Sequence, residues 1–451
     1  MKRLTFVLLA LIVLLVIPLL RLFAGQPVVY GNTVYGDAVR VSRSDPVSGM
    51  IFYVEPWHYF LKAVYSILPF TLAATIIPIG LGVLFVFLLG YLLKSLKYDN
   101  LASLLTISVV ILSPFFIFNF THLSRQAVAM VLILAGWLLL SRFSIVGFFL
   151  LISASLLGFS SAIAVLISGL IFWNVHDDKK GLIAAFLSML AILLLHLPKF
   201  LLQETFPVPT EWFVLFLSDL GGRGGLATFG ILLALVGTVY ALKHRRKYYI
   251  SFICTGAMFI LSFFFQNLLP FVGLLVSLVA GYGFSKIWKR KWTLPAAHYF
   301  CLLVMFCGIL FSGVAHLKLL QHDSPSKDIV EAFSWLRTQN SGNVLSDWRN
   351  GNWISYYSGN KVFLNEDLSR QGMNKRYFES KNIFRETRMQ ALSSFLQINK
   401  IKYVVITKSM LNGDVWEREN QGMMFLLQNR ETFKKVFFND EVIIWEYLGD
   451  R

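Results

Sequence analysis

TLAATIIPIGLGVLFVFLLGYLL, residues 71–93, contains no charged side chain. About 20 apolar residues in helical conformation cross the hydrocarbon core of a bilayer, so this stretch by itself argues for a membrane protein. Similar apolar runs recur near 5–23, 101–118, 126–141, 144–158, 160–174, 181–198, 227–242, 249–265, 268–285 and 296–316. Eleven spans are therefore expected, with Gly158 as the turn signal inside 144–174. Composition agrees: of 451 residues, 56% are hydrophobic and 15% charged, against about a quarter charged in soluble proteins.

The charges divide sharply along the chain. The last 133 residues hold 18 Lys/Arg and 16 Asp/Glu, which leaves 23 basic and 9 acidic residues for the first 318. A net charge of +16 could suggest nucleic acid, but it belongs to the membrane part and is the mark of basic cytoplasmic loops. Lys2/Arg3, Lys94/Lys97, Arg142, Lys179/Lys180, Lys243–Lys247 and Lys286–Lys291 all fall on one side of the expected spans. The positive-inside rule makes that side cytoplasmic, and an odd span count puts the C-terminus outside. The start, MKRLTFVLLALIVLLVIPLL, has the profile of a signal peptide. Arg21–Gln26 is a poor cleavage site, so a retained first helix is expected. Cys254, Cys301 and Cys307 lie in apolar runs and form no metal-binding spacing.

The expected architecture is a polytopic α-helical membrane domain over residues 1–318, with external loops at 24–70 and 199–226, followed by an extracytoplasmic α/β domain over 319–451. The first loop ends in an amphipathic stretch, WHYFLKAVYSIL, suited to a membrane surface. In the C-terminal part the pattern predicts a helix at 327–339 and strands at 343–346, 353–357 and 362–365. It further predicts a long helix at 382–398, the strand KYVVIT, a helix at 415–428 and a hairpin turning at Asn439–Asp440. Within it, VLSDWRNGNWI (Val344–Ile354) reads as a strand running into a polar, aromatic loop suited to surface recognition.

Chemistry concentrates on the external side. YGDAVRVSRSDP carries Asp37 and Asp45 with Arg40 and Arg43. Such a set can place a base beside phosphate ligands, or it can be a solvated loop of ion pairs. His58, in EPWHYF, is either a phosphate or acceptor contact or part of an interfacial anchoring belt. Glu211, in PTEW, is either a site carboxylate or an acid in the first turn of a helix capped by Thr210. Asn119-Phe-Thr121 matches a glycosylation sequon but lies close to the membrane. Acids are scarce within the apolar runs, which argues against a transporter.

Together these pieces resemble the glycosyltransferase C-type superfamily, in particular the archaeal and bacterial oligosaccharyltransferase catalytic subunits. DAVRVSR keeps that family's Asp-to-Arg spacing as Asp37 and Arg43, while an alignment ending at Arg40 puts Val34 at the acid position. VPTE, ending in Glu211, is similar to the Thr-Ile-x-Glu segment, and GGLATFGILLALVGTVYAL to the helix after it. DWRNG is similar to the signature loop: Trp348 and Gly351 match, and Arg349 replaces the Asp that binds a sequon hydroxyl. THLSRQ (Thr121–Gln126) has no acid where the family often has a second acidic motif. QNLLPF places Asn267 near the position of a phosphate-binding Arg.

The resemblance implies inverting transfer of a sugar from a polyprenyl-phosphate carrier to a protein or glycan acceptor. Asp37 is then the base, supported by Glu211. Arg40, Arg43 and His58 bind phosphate or acceptor, and Trp348, Arg349 and Gly351 line the acceptor cleft. If a divalent cation (Mg or Mn) is held, its ligands are Asp37, Glu211 and Asp45; transfer without metal, as in protein O-mannosyltransferase-like relatives, is the simpler expectation. The alternative is a scaffold that kept the fold and lost the chemistry.

Overall fold

The computed structural model describes residues 2–43, 56–140, 142–176, 179–196, 216–220, 225–321, 324–365, 373–418 and 421–449. The first helices are α1 (Lys2–Phe23), α2 (Asn32–Arg43), α3 (Pro56–Ile67), α4 (Phe70–Ser95) and α5 (Asn100–Ile111). They are followed by α6 (Pro114–Thr121), α7 (Arg125–Leu140), α8 (Ser144–Leu156), α9 (Phe159–His176) and α10 (Lys179–Ala191). The helical part closes with α11 (Thr228–Ala241), α12 (Arg245–Phe264), α13 (Leu269–Lys289) and α14 (Pro295–Gln321).

Each of the eleven apolar runs is mostly helical over its described residues, but 101–118 is broken at Leu112–Ser113 into α5 and α6. Among the described residues, five helices are long and apolar enough to cross a membrane: Leu4–Phe23, Phe70–Ser95, Lys179–His196, Gln266–Lys289 and Pro295–Gln321. A sixth is counted if α5 and α6, bent by 58° at their junction, form one span. The bend has a local cause: Pro114 has no amide hydrogen and forces Ser113 into an extended conformation (φ −75°, ψ 142°). The remaining apolar stretches, Arg125–Leu140, Ser144–Leu156, Phe159–Val175, Thr228–Ala241 and Tyr249–Phe264, are 10–17 residues long.

Aromatic packing fixes the centre of the helical part. Phe85 of α4 meets Phe120 of α6 at 5.0 Å, and Phe120 meets Phe116 at 5.0 Å. Helices α11 and α13 approach closely at Gly237 and Gly283, where any Cβ would run into the Val279 and Leu233 carbonyls. At the end of α1 the buried Arg21 donates to the carbonyls of Pro27 (2.6 Å), Gln321 (2.9 Å) and Pro325 (2.7 Å). One guanidinium thus ties the first loop to the exit of α14 and the start of the C-terminal part, satisfying three carbonyls at once.

The C-terminal part contains α15 (Lys327–Arg337), β1 (Asn343–Leu345), α16 (Gly351–Ser358), α17 (Met373–Phe384), α18 (Met389–Ile398), β2 (Ile401–Thr407), β3 (Phe433–Phe438) and β4 (Val442–Tyr447). Its sheet has the order β1-β2-β4-β3, with β1 parallel to β2 and the other pairs antiparallel. The final hairpin turns where expected. The Asn439 side chain accepts from the amides of Glu441 (3.1 Å) and Val442 (2.8 Å) and donates to the Asp328 carbonyl (2.9 Å), pinning the turn to α15.

Several expectations need correcting. Residues 353–357 are helical, not a strand, because Asp347 caps a turn at Trp348–Asn350 that leads straight into α16. The apparent alternation of NWISYY comes from two buried helix faces: Ile354 enters the sheet core, while Trp353, Tyr356 and Tyr357 pack on the Tyr35 side. Residues 362–365 make only a bridge from Val362 to Val344. The helix expected over 382–398 is two helices, α17 and α18. Between them the Glu386 carboxylate accepts from the amides of Thr387 and Arg388. Over the described part of 415–428 the helix shrinks to Met423–Leu426, behind Gly422 at φ +59°, a conformation that side chains resist.

Candidate active site

Helix α2 carries the first acidic motif, and its two ends are fixed differently. At its start, the Asn32 side chain donates to the Arg349 carbonyl, and the Asn352 side chain donates back to the Asn32 carbonyl (3.4 Å). One turn on, Gly36 lies against Asn352, whose Nδ2 would be 2.8 Å from an added Cβ. On the same side the Tyr357 hydroxyl bonds that of Tyr35 at 3.1 Å, and the Tyr356 ring meets the Tyr35 ring at 5.1 Å. Burial raises the pKa of Tyr35, and the neighbouring Tyr357 raises it further. This packed joint sets the angle at which α2 presents Asp37.

Asp37 is half-buried. Its Oδ2 accepts from the Trp57 indole at 2.8 Å, and its Oδ1 lies 3.6 Å from the Arg40 guanidinium one turn along α2. Trp57 belongs to α3, is 1% exposed and stacks on Phe60 at 5.4 Å. It therefore holds one carboxylate oxygen in place. Tyr65, two turns further along α3, has its pKa raised by burial and by the nearby Asp37 carboxylate.

The sequence reading missed Arg125. It opens α7, with Ser124 accepting from the Ala127 amide (3.1 Å), and its guanidinium lies 5.9 Å from the centre of the Trp57 ring. The neighbouring Gln126 donates to Asn267 at 3.1 Å, joining the start of α7 to the entry of α13. His122 packs edge-on to Tyr30 and Phe118. THLSRQ lacks the acid of the family motif but carries this cation, Arg125. Sequence offers only a cation at the start of an apolar run; its placement over Trp57 comes from the fold.

The other sequence candidates fall into three groups. Asp37, Arg40 and Trp57 come together as described, and His58 follows Trp57 with its ring edge-on to Tyr59 at 5.9 Å. Asp45, Glu211 and the side chain of Arg43 lie outside the described residues. Trp348, Arg349 and Gly351 serve internal packing. Arg349 pairs with Asp347 (2.7 Å) and Asp414 (2.8 Å), and Trp348 packs on the core of the sheet. Gly351 touches the backbone at Leu364 so closely that a Cβ would collide with it. The 347–351 segment still lies near Asp37. The Arg349 carbonyl marks the Asn32 end of α2, and five residues of helix rise roughly 8 Å.

Asp219 lies just before α11 and ties the chain there to α14. It accepts from the Ser312 hydroxyl of α14 and from the Thr228 amide (2.7 Å). Burial pushes its carboxyl pKa up, but these hydrogen bonds outweigh it and leave the group below its ordinary range.

Among the described residues no three His, Cys, Asp or Glu side chains cluster as metal ligands. Asp37 faces an indole N–H and a guanidinium, whereas a hard divalent cation needs several oxygen ligands. These residues alone do not fit a metal cage.

No protein-family model and no curated protein sequence matches the chain. Solved structures do. The Archaeoglobus fulgidus oligosaccharyltransferase in its apo form superposes with a TM-score of 0.59 at 13% identity, over 90% of this chain and 70% of that one. The same enzyme with Zn and sulfate gives 0.60 at 14% identity, over 95% and 71%. The archaeal oligosaccharyltransferase AglB from that organism, with an inhibitory peptide and a dolichol-phosphate, gives 0.62 at 11% identity, over 96% and 72%. The chain has an oligosaccharyltransferase-like fold.

Proposed function

We propose that the protein is an inverting membrane glycosyltransferase that moves a sugar or oligosaccharide from a polyprenyl-phosphate carrier to a protein or glycan acceptor. The observation that carries this reading is the Asp37 carboxylate, held by the Trp57 indole and paired with the Arg40 guanidinium, with the Arg125 guanidinium over the same Trp57 ring. A carboxylate with one oxygen fixed and cations beside it suits removal of a proton and stabilisation of a leaving phosphate in one place. The acceptor O–H or N–H gives its proton to Asp37, and its heteroatom attacks the sugar C1. The C1–O bond breaks, and its electron pair leaves with the lipid phosphate, whose charge falls to Arg40 and Arg125. Glu211 and Arg43 complete the site from neighbouring segments, and His58 contacts phosphate or acceptor. A divalent cation, if used, needs Asp45 and Glu211 to join Asp37.

In this reading all eleven apolar helices cross the membrane, the N-terminus is cytoplasmic, and residues 319–451 form an external domain above the site. Dolichol-phosphate bound to a protein of the same fold supports the lipid carrier. Arg349 favours a second reading: its charge is taken up by Asp347 and Asp414, so recognition of an Asn-x-Ser/Thr acceptor by this segment is replaced or lost, as in a scaffold.

The test is transfer itself. The full chain in liposomes receives radiolabelled polyprenyl-phosphate-linked sugars and a membrane-protein extract, with Asp37→Asn alongside. Transfer lost in the variant supports the proposal, equal transfer by the variant refutes the site, and no transfer from any donor favours the scaffold.

A further inference from the structure

Away from this site, α5, α13 and α14 enclose an open groove of about 660 Å³, within the size range of ligand sites. Helix α14 packs along α1, α6 and α11, while α5 packs along α13. The groove is the gap left between α5 and the first half of α14. Its walls are Leu105 and Val109 of α5, Trp288 of α13, and Leu302, Phe306 and Ile309 of α14.

Its length is informative. The lining runs from Leu104 to Leu112 on α5 and from His298 to Ile309 on α14. At 1.5 Å per residue these are roughly 12 and 16 Å. Half of a hydrocarbon core of about 30 Å is the depth of a single leaflet.

The groove begins at the basic end of the helical part. Lys289 is matched there by Asp99 at 2.5 Å, and Lys286 lies over the Tyr282 ring at 4.9 Å. Arg290 and Lys291 are exposed in the turn that follows. The His298 ring stacks on Trp292 (5.6 Å) and Tyr299 (5.7 Å), and its Nε2 is buried without a hydrogen-bond partner. A buried polar atom left unpaired is costly, and a ligand oxygen relieves it.

We propose that this groove binds an anionic glycerophospholipid, with one acyl chain between α5 and α14 and the phosphate at His298, Arg290 and Lys291. Charge and depth select this occupant, and the proposal stands apart from glycosyl transfer.

The full chain is delipidated in detergent and offered phosphatidylglycerol, phosphatidylcholine with the same tails, or a polyprenyl phosphate. Native mass spectrometry reads what is retained. Phosphatidylglycerol is expected to be held about tenfold better than phosphatidylcholine, given two basic side chains near the headgroup. Arg290→Gln with Lys291→Gln removes that preference, and Leu302→Trp, which fills the groove, removes retention. Should Leu302→Trp fail to fold, an acyl-chain diazirine on phosphatidylglycerol is expected to label 298–309 in the unmodified chain. Equal retention of the two phospholipids, labelling elsewhere, or displacement by the polyprenyl phosphate overturns the proposal.

Discussion

Two neighbouring regions, residues 32–67 and 347–358, are both rich in charged, polar and aromatic side chains, and they use them differently. In the first, Trp57 fixes one oxygen of Asp37, and Arg40 and Arg125 stand nearby at the edge of the helical part. In the second, Arg349 is paired with both Asp347 and Asp414, Gly351 makes room for backbone, and Tyr357 joins α16 to α2. A motif-like segment can therefore mark a structural joint, and the proposed chemistry is placed on the helix that the joint holds.

If that division is right, Asp37→Asn has the largest effect. It lowers transfer by about 10²–10⁴-fold, the usual worth of a general base, with an unchanged melting curve. Gly351→Ala comes next: overpacking against the Leu364 carbonyl destabilises the protein by about 1–3 kcal/mol, read as a lower denaturation midpoint. Arg349→Gln leaves the buried Asp347 carboxylate and the exposed Asp414 carboxylate without their shared cation. It should cost about 1–2 kcal/mol of stability while leaving transfer within about threefold of the parent. Loss of transfer at unchanged stability in that variant would move the chemistry into the second region.

The smallest effect concerns pH. Tyr35 and Tyr65 have folded pKa values above the ordinary tyrosine value of 10.0. Their contribution is thus complete below the unfolded pKa, about 10, and falls as pH rises past it, because the unfolded chain ionises first. A denaturant midpoint that declines above that pH, and declines less steeply in Tyr35→Phe, is the expected result.

The helical part was legible because long apolar runs have few alternatives to helix, although Pro114 splits the 101–118 run into α5 and α6. The hairpin at Asn439–Asp440 was legible from its turn residues. Residues 353–357 were not, since two buried faces on a short helix give the same alternation as a strand. Asp37 and Arg40 could be read from sequence as a local acid–base pair. Arg125 could not, because its role depends on Trp57, 68 positions away in the chain, packing beneath it. The sequence expectation puts Arg349 in the acceptor cleft; its pairing with Asp414 is not legible there because that partner belongs to a distant segment.

The most direct measurement is an experimental structure of the full chain with a polyprenyl phosphate bound. The expected result is phosphate oxygens within about 2.7–3.2 Å of the Arg40 or Arg125 guanidinium, beside Asp37. A phosphate bound instead at the Lys286–Lys291 end, with the Asp37 region empty, would contradict the assignment.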